Sequence, residues 1–561
     1  MAATTGYNPL SPLRRLLRLL NAERRDIGYI YFYAILTGLI SLSLPLGIQA
    51  IINYVQTAQV STSWFVLVVV VTGGVALQSV LQIMQLSISE TIQQRLFTNS
   101  AFEFAYRIPR LDFDHTHGQY PPELVNRFFE TISLQKGISK IVLDLSAATL
   151  QIVFGLILLS FYHGFFVVFG VFLIVVLALV IRYTSPYGIK TSIIESKYKY
   201  AVAHWLEEMA RSIELFKLAG NPNYPMARTD LLTQNYLQAR KHHFRILVSK
   251  YIFLIGFKVL IIAALLVLGS LLVINGQMNV GQFVAVEIVI ILLLNSVEKL
   301  ILSIETVYDV LTSVDKIGFV ADLPMEREGG ESISNNTKGF EIKVKDLNYQ
   351  YPGSMQPTVM APDFSALSGA KICILGSDQV GKAAFLRLLA GFFRDYQGYL
   401  ACDGMPMTNL NLHAFRKEIG GFGDLRDVFD GSIKDNITLG DAAIGSADLM
   451  EAIRLVGLSA FVESHAEGIE YRITPEPEKV PEVVLRKIVL ARALARPARL
   501  LLLEDPVYGF SEAEKTRVLE YITQKLPQTT VICTSDSAQV AGYFGQLYRL
   551  EAGLLVAQKS S

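Results

Sequence analysis

The segment GSDQVGKAAF, residues 376–385, has the spacing of a phosphate-binding loop. Four residues separate Gly376 from Gly381, and Lys382 follows in the position that reaches the β- and γ-phosphates of a nucleotide. The next residue of such a loop is Ser or Thr, whose hydroxyl binds Mg²⁺, but here it is Ala383. The segment therefore predicts a nucleotide site that has lost one metal ligand.

The residues around this loop predict the elements that position it. KICIL (371–375) is typical of a buried strand and AAFLRLLAGFF (383–393) of a helix, so the loop lies at a strand-to-helix turn, where helix amides favour anions. ARLLLLEDP (498–506) and TTVICTS (529–535) also predict buried strands, and VLRKIVLARALARP (484–497) predicts a helix. Alternating strands and helices indicate an α/β domain with a mainly parallel sheet.

The composition of the whole chain indicates a membrane protein. Of 561 residues, 51% are hydrophobic and 18% are charged, and the mean hydropathy is +0.38. Several apolar runs reach the roughly 20 residues that a spanning helix needs, and the shorter ones extend into mildly polar flanks. We predict six spans, centred on 29–52, 64–84, 148–161, 165–181, 251–274 and 283–297.

The distribution of basic residues predicts the orientation. The links 53–63, 162–164 and 275–282 contain no Lys or Arg, whereas the N-terminus and the stretches 85–147 and 182–250 are rich in both. By the positive-inside rule, both termini and the two long loops are cytoplasmic.

Each long loop carries a helix-like segment at its far end, at 117–132 and at 204–220. These segments are either solvated helix–turn–helix surfaces or a pair of helices that contact a cytoplasmic domain.

Three ionisable residues within the apolar runs are candidate functional residues. Lys258 and Glu298 lie about equally far from the turn near 277, so they either pair with each other or extend to water at the cytoplasmic boundary. Glu287 lies deeper in its run without an obvious partner, and it is the better candidate for a residue of a transport pathway.

Residues 326–339 are polar, rich in Gly and Ser, and typical of a linker. We therefore predict a transmembrane domain at 1–325 with two long cytoplasmic loops, a linker at 326–338, and the α/β domain at 339–561.

Charge and cysteine content exclude several classes of protein. The formal net charge is zero, so no global field favours nucleic acid as a partner. Cys373, Cys402 and Cys533 are too few and too scattered for a disulfide framework or a zinc site, and we expect buried free thiols. His115 and His117 read better as part of a solvated turn than as half of a metal site, so no metal centre is predicted.

Six spans, two long cytoplasmic loops, a linker and this α/β domain together resemble a half-transporter of the ABC exporter family. LPLGIQAIINYV (44–55) and YPPELVNRF (120–128) resemble segments of the type I secretion exporters of the haemolysin-secretion group. FDGSIKDNITLG (429–440) and KIVLARALARPARLLLLEDP (487–506) are similar to the family's nucleotide domain. The resemblance covers nearly the whole chain. It implies a six-helix α-helical membrane domain followed by an α/β P-loop nucleotide-binding domain.

The resemblance identifies the family's nucleotide-site residues one position at a time. Tyr351, in YQYPG, aligns with the aromatic residue that stacks on adenine. In the phosphate-binding loop, Gln379 replaces a glycine and threatens a backbone conformation that glycine adopts at low cost. Ala383 and Ala384 replace a Ser-Thr pair, and Asp424 replaces the glutamine that senses Mg²⁺ and water.

The elements that the family places around the γ-phosphate also differ. The family's Asp-Glu pair is reversed to Glu504-Asp505, which puts Asp505 at the position of the catalytic base. Asp536 replaces the switch histidine, and Ser511 replaces the D-loop aspartate. None of the Leu-Ser-Gly-Gly-Gln signature is kept, and its five positions hold Val480, Pro481, Glu482, Val483 and Val484.

These replacements imply that ATP hydrolysis is absent or very weak, because phosphoryl transfer depends on positioning and charge stabilisation. Asp424, Glu482 and Asp536 bring carboxylates towards a triphosphate. Two like charges about 4 Å apart cost about 4 kcal/mol at an effective dielectric constant near 20. Binding of ATP and Mg²⁺ is therefore expected to be weak as well.

Two hypotheses follow. The first is a catalytically inactive homodimer in the cell (inner) membrane that acts as a channel, scaffold or partner-binding module of a secretion or export system, with a periplasmic adaptor as its expected partner. The second is an active or regulatory ATP-driven export subunit, either alone or as half of a heterodimer. Because the phosphate loop and the signature are both altered, neither composite site would be complete even with an intact partner, which favours the first hypothesis.

Overall fold

The structure is a computed structural model that describes residues 11–56, 62–116, 121–221, 223–333, 338–422, 427–474 and 480–558. The chain divides into two compact units. The first contains residues 1–110 and 119–323, and the second contains residues 111–118 and 324–561.

The first unit is helical, and its longest helices carry the apolar runs. Leu42 separates α2 from α3 within the first predicted run, and Pro45, which lacks an N–H, is accommodated in the first turn of α3. Asn279 caps α12 through a reciprocal capping box with Gln282. The helices in chain order are α1 Pro12–Ala22, α2 Arg24–Ser41, α3 Ser43–Gln56, α4 Thr62–Arg107, α5 Phe113–Thr116 (which belongs to the second unit), α6 Pro121–Asn126, α7 Glu130–Lys140, α8 Ser146–Ser160, α9 Gly164–Arg211, α10 Ile213–Leu218, α11 Asn223–Ile274 and α12 Val280–Asp322.

Among the described residues, five helical stretches are long and apolar enough to cross a membrane. They are Arg24–Gln56, Thr62–Arg110, Glu123–Ser160, Asn223–Ile274 and Val280–Asp322. The remaining predicted run, 165–181, begins α9, where Gly164–Val176 forms a shorter apolar stretch. The apolar runs thus lie in helices that continue well beyond them.

The second unit is built on a ten-stranded sheet in the order β5-β4-β1-β2-β12-β11-β3-β10-β9-β6. Its centre, from β11 to β6, is parallel, whereas β2 and β4 flank β1 in antiparallel pairs. The strands of this sheet are β1 Ile342–Tyr349, β2 Val359–Ala366, β3 Lys371–Leu375, β4 Gln397–Cys402, β5 Met405–Pro406, β6 Ile419–Phe422, β9 Leu500–Glu504, β10 Thr530–Ser535, β11 Gln546–Glu551 and β12 Leu554–Gln558, and β7 Gly431–Ser432 pairs separately with β8 Arg472–Ile473.

The helices of this unit follow the predicted alternation. The strand predictions at 371–375, 498–506 and 529–535 are confirmed as β3, β9 and β10. The helix predictions after the phosphate-binding loop and before β9 are confirmed too. The helices are α13 Gln379–Leu389, α14 Leu412–Lys417, α15 Ile433–Thr438, α16 Ser446–Val456, α17 Ser459–Glu463, α18 Glu482–Leu494, α19 Glu512–Glu520 and α20 Ala538–Ala541.

The parallel register of β3, β10 and β9 decides where the candidate site lies. Cys533 pairs with Cys373, and Thr534 pairs with Glu504. The carboxyl ends of the three strands therefore meet at one edge of the sheet, which is where ligands bind in open α/β sheets. All three cysteines are buried and free, as predicted.

Residues 111–116, which we call the docking segment, are part of the second unit although the long helices and α12 lie between them and Pro324 in the chain. The Phe113 ring lies 5.5 Å from that of Phe393 and 5.7 Å from that of Phe392. A carboxylate oxygen of Asp114 accepts the backbone N–H of Arg394 at 2.8 Å and that of Asp395 at 3.3 Å. Burial raises the pKa of Asp114.

Two sequence-based expectations bear on this arrangement. Residues 117–120, at the start of the helix-like segment 117–132, lie outside the described residues, and the contacts with Phe393 and Arg394 are made just before it, by Phe113 and Asp114. The start of the predicted linker 326–338 also belongs to the second unit, since Glu326 forms a bidentate ion pair with Arg416. Residues 334–337 of that linker lie outside the described residues.

Candidate functional site

The loop after β3 has the backbone of a phosphate-binding loop. Gly376 has a φ of +134°, and a Cβ on it would lie 2.0 Å from the Leu550 carbonyl oxygen, so only glycine fits there. Gln379 is the first residue of α13, and it is not among the positive-φ residues of the described chain. The expected strain at Gln379 is therefore absent, because helical φ suits any L-residue.

A carboxylate already caps this loop. Asp378 precedes α13, and its two side-chain oxygens accept the backbone N–H of Gly381 at 2.9 Å and that of Gly553 at 3.0 Å. In a phosphate-binding loop the N–H groups at the helix N-terminus are the donors that hold phosphate. At Gly381 the chain supplies its own anion instead.

Lys382 is completely buried, and its ammonium group is engaged by two carboxylates. Its Nζ donates to Oδ1 of Asp536 and lies 3.9 Å from Oδ2 of Asp505. The other oxygen of Asp536 accepts the side-chain N–H of Gln379 at 2.7 Å. We call these four residues the Lys382 network. The carboxylate at the switch position thus bonds to Lys382, the side chain that reaches the terminal phosphates in sites of this kind, and to Gln379, which stands where the family has a glycine.

Asp505 occupies a strained position next to this network. Its φ is +42°, and its N–H donates to the Thr534 carbonyl oxygen at 2.9 Å. Burial raises the pKa of the Asp505 carboxyl and Asp536 adds to the effect, while Lys382 opposes it. Glu504 ends β9 beside it. The two acidic residues therefore add negative charge to the end of the site where phosphate would lie.

The base end of the site is formed by aromatic rings. Tyr351 packs edge-to-face on Phe393, with ring centroids 5.6 Å apart, and on Tyr349 at 5.3 Å. Tyr349 and Phe393 stack on each other at 4.6 Å. Since Phe113 contacts the Phe393 ring, the docking segment supports the same aromatic group. Tyr351 is half-buried, so part of its ring remains available to a ligand.

The signature position forms the start of α18; it lacks the family's serine hydroxyl and has side chains where the family has glycines. Pro481 has no N–H, and α18 begins directly after it at Glu482. The Glu482 carboxylate accepts from Arg486 at 2.8 Å and lies at the helix N-terminus, a favourable place for an anion. Val480 is buried, and Val483 and Val484 pack against the hydrophobic core.

These parts border one open cavity of about 660 Å³ at the carboxyl edge of the sheet. Ala383 lines it without a hydroxyl, and Ala384 is buried behind it. The cavity is lined by Tyr351, Gln379, Val380, Ala383, Arg387, Glu482, Arg486, Glu504, Asp505 and Tyr508.

The other predicted positions are less informative. Ser511 caps α19 in a capping box with Glu514, whose side chain also bonds to Lys487 at 2.6 Å. Asp424 lies outside the described residues. Across the part of the chain that the structure describes, no group of three His, Cys, Asp or Glu side chains is suited to hold a metal ion.

In the first unit, Lys258 and Glu298 are brought together. The Lys258 ammonium lies 2.7 Å from the Glu298 carboxylate and donates to Asn295 at 3.3 Å. The structure therefore favours the paired reading of these two residues. Glu287 is half-buried on α12 and does not join this pair.

Sequence reasoning missed Asp378, Phe113 and Asp114. Asp378 stands just before the helix of the phosphate-binding loop, and Asp is a preferred N-cap residue, so the sequence could have predicted its cap on the Gly381 N–H. The docking contact of Phe113 joins residues about 280 positions apart in the chain, and no local pattern indicates it.

The residues present fit only part of an Mg²⁺–ATP complex. Tyr351 and the backbone around Gly376 suit a nucleotide's base and the approach of its phosphates. The phosphate end does not fit, because Lys382 is bonded to Asp536, the Gly381 amide is capped by Asp378, and Ala383 cannot bind Mg²⁺.

Comparison with known proteins finds matches in both units. The sequence profile of the ABC transporter transmembrane region matches residues 27–297, and that of the ABC transporter family matches residues 360–508. A bacterial Atm1-family ABC exporter with ATP bound has a similar structure, with a TM-score of 0.83 and 15% identity over 95% of this chain and 94% of that chain.

The curated relatives match a smaller part of the chain. The ATP-dependent lipid A-core flippase of Xanthomonas oryzae pv. oryzae (strain MAFF 311018) is 23% identical over 296 residues, which is 53% of this chain and 50% of the flippase. The protein of the same name from Xylella fastidiosa (strain 9a5c) is 22% identical over the same length. The chain thus spans about half the length of the curated relatives it matches.

Proposed function

We propose that this chain, a half-transporter with the ABC exporter fold, works in the membrane without hydrolysing ATP. Its fold class is the predicted one: a helical transmembrane domain followed by an α/β nucleotide-binding domain. Domains of this family bind ATP with Mg²⁺. The proposal is that this one has kept the fold and lost the chemistry.

The observation that carries the proposal is the Lys382 network. A buried lysine that already bonds to Asp536, with Asp505 at 3.9 Å, has little positive charge left for a phosphate. A terminal phosphate would have to displace the Asp536 carboxylate or lie beside it. Either course has a free-energy cost that is absent from a site in which no carboxylate bonds to the lysine.

The loss extends to both faces of the family's composite site. On the loop face, Ala383 removes the hydroxyl that binds Mg²⁺. On the signature face, Pro481 removes a backbone donor and Glu482 presents a carboxylate. Because each composite site combines the loop of one subunit with the signature of the other, an intact partner would complete neither site.

The test is ATP turnover by the purified full-length chain in lipid. We expect no Mg²⁺-dependent activity above background. Turnover of about 1 s⁻¹, a low but ordinary enzyme rate, that disappeared in Lys382→Ala would contradict the proposal.

A repair series locates the defect. The loop-face variant combines Ala383→Ser, Asp424→Gln, Glu504→Asp, Asp505→Glu and Asp536→His. We expect it to bind ATP better than the wild type but still hydrolyse poorly, because the signature at 480–484 is unrepaired. Adding Leu-Ser-Gly-Gly-Gln at 480–484 should allow turnover, with effects far from additive since the residues act as a unit. Full activity in the loop-face variant alone would mean that VPEVV serves as a signature.

We propose a homodimer as the working assembly. The second helix-like segment, 204–220, contains α10, where Ile213, Leu215 and Leu218 are 52%, 63% and 86% exposed. Such an apolar surface favours burial against a partner, here the nucleotide-binding domain of a second copy. Cross-linking from position 215 should join two chains. Cross-links confined within single chains would argue against this assembly.

The setting of the dimer is proposed from the sequence. The basic loops support a cytoplasmic nucleotide-binding domain and cytoplasmic termini, and the resemblance to type I secretion exporters supports the inner membrane and a periplasmic adaptor. In this setting the dimer is a channel, scaffold or partner-binding module for export, with domain boundaries near 325 and 339. Co-purification of an adaptor with the tagged chain would support the secretion grouping.

One observation favours a second candidate, an active or regulatory ATP-driven export subunit. Gly376 and the aromatic group of Tyr351 retain the geometry of a nucleotide site, and the lysine of the loop is kept at 382. The relatives named lipid A-core flippases suggest a lipid-like cargo for such a subunit. ATP-dependent movement of a labelled lipid in vesicles containing only this chain, abolished in Lys382→Ala, would establish it.

A further inference from the structure

A polar cavity of about 420 Å³ lies among helices α7, α9, α11 and α12 of the first unit. Every residue that lines it except Gly137 has a polar side chain. Glu305 follows the apolar run 283–297 by eight residues, which is about 12 Å of helix. The polar cavity therefore lies beyond the apolar run, in the helical extensions.

Two helices give the polar cavity walls of opposite charge. Lys136 and Lys140 are one turn apart on α7, and Glu305 and Asp309 are one turn apart on α12. The helices approach closely at Gly137, where a Cβ would lie 2.2 Å from a methyl carbon of Val310. The two charged pairs therefore border the same space.

These four charges are left over after the internal ion pairs are formed. Lys199 bonds to Glu130 at 3.0 Å, and Arg240 bonds to Glu195 at 3.0 Å, so these lining residues neutralise each other. Within the described residues, the four wall residues Lys136, Lys140, Glu305 and Asp309 make no ion pair within 4.0 Å.

One further group is unsatisfied. Among the described residues, the hydroxyl of Ser196, a lining residue only 8% exposed, has no hydrogen-bond partner, which is costly for a buried polar atom. A polar group of a ligand near Ser196 would satisfy this hydroxyl, and a cation near Glu305 and Asp309 would offset the two carboxylates.

We propose that the polar cavity binds a zwitterion, with its ammonium group between Glu305 and Asp309 and its anionic group between Lys136 and Lys140. The volume falls within the roughly 300–1,000 Å³ of small-molecule sites. A short peptide and the head group of an ethanolamine phospholipid share this chemistry. The site is independent of the nucleotide-binding domain and of whether ATP is hydrolysed.

The test uses the full-length chain in nanodiscs of phosphatidylglycerol, which contains no ammonium group. Calorimetric titrations compare triglycine with its N-acetyl form, its C-terminal amide and glycerophosphoethanolamine. We expect triglycine to bind at least about tenfold tighter than either blocked form, a difference of about 1.4 kcal/mol, since each blocked form loses one charge-assisted contact.

Charge-removing variants separate the two walls. Glu305→Gln with Asp309→Asn should weaken triglycine about tenfold or more and leave N-acetyl-triglycine unchanged. Lys136→Gln with Lys140→Gln should weaken triglycine similarly and leave the C-terminal amide unchanged. The matched controls are Asp315→Asn on α12 and Lys197→Gln on α9, because both residues are exposed and neither lines the polar cavity.

Ser196→Ala tests whether weaker binding of triglycine in a variant could result from misfolding. It removes an unsatisfied buried hydroxyl, so the thermal midpoint should stay the same or rise while triglycine binding weakens about threefold or more. Binding of glycerophosphoethanolamine without triglycine would identify the lipid head group as the source of the zwitterion. Equal binding of all four compounds, no binding at millimolar concentration, or wall variants that behave like the controls would overturn the proposal.

Discussion

Asp536→Asn should convert the phosphate end of the nucleotide site from anion-repelling to anion-accepting. The amide keeps the shape of the carboxylate, and its oxygen can still accept a hydrogen bond, so the change removes one charge and little else. Among the described residues, Lys382 then has Asp505, at 3.9 Å, as its one carboxylate partner, and its positive charge becomes available to phosphate.

The magnitude follows from the geometry. A terminal phosphate at Lys382 would lie about 4 Å from the Asp536 carboxylate, which costs up to about 4 kcal/mol at an effective dielectric constant near 20. Because the Asp536 side chain is 52% exposed, water screens much of this repulsion. We therefore expect a gain of about 1.4–2 kcal/mol, which is a 10- to 30-fold increase in ATP affinity.

The assay is calorimetric titration of the full-length chain in nanodiscs with ATP and AMP. AMP does not reach Lys382, so its affinity should change less than about threefold. Raising the salt concentration should shrink the gain for ATP, because the interaction is partly exposed. Asp363→Asn on β2, an exposed residue far along the sheet from β3, is the matched control for the same chemical change.

Two results would refute the reasoning. The first is an ATP affinity within twofold of the wild type, which would mean that Asp536 does not limit phosphate binding. The second is an equal gain for ATP and AMP, which would assign the effect to something other than the Lys382 network. A lower thermal midpoint of the variant without nucleotide is expected, because the buried lysine loses its nearest partner.

Three further outcomes are expected. Gly376→Ala should lower the free energy of unfolding by about 3 kcal/mol in urea titrations, because the new methyl meets the Leu550 carbonyl at a φ of +134°; an unchanged midpoint would contradict the loop geometry. Because the pKa of Asp114 is raised in the folded state, the Asp114 carboxyl contributes fully to folding stability at any pH below its pKa in the unfolded chain. This contribution is lost as the pH rises through the raised pKa of the folded state. The wild type should thus lose thermal stability relative to Asp114→Asn as the pH rises through that window, and a constant difference would argue against a buried carboxyl. Lys258→Met or Glu298→Gln alone should lower the midpoint in nanodiscs more than the double variant does, because each single change strands one charge; additive losses would show that the ion pair is not formed.

The sequence by itself determined the elements and the missing chemistry. Short unbroken apolar runs placed β3, β9 and β10 at their positions, because burial on both faces of a strand imposes this pattern locally. Long apolar runs placed the membrane helices for the same reason. The absence of a hydroxyl at Ala383 and of the signature at 480–484 needed only the spacing of the motifs.

The tertiary structure alone decided what the substituted residues do. The residue types at 382 and 536 do not reveal that the two side chains bond, because they lie 154 positions apart and meet only through the parallel register of β3 and β10. The same holds for Phe113, which contacts Phe393 across about half the length of the chain. Local patterns report which face of an element is buried, but a side chain's partner depends on strand order and helix packing, and these are set by contacts distant in sequence.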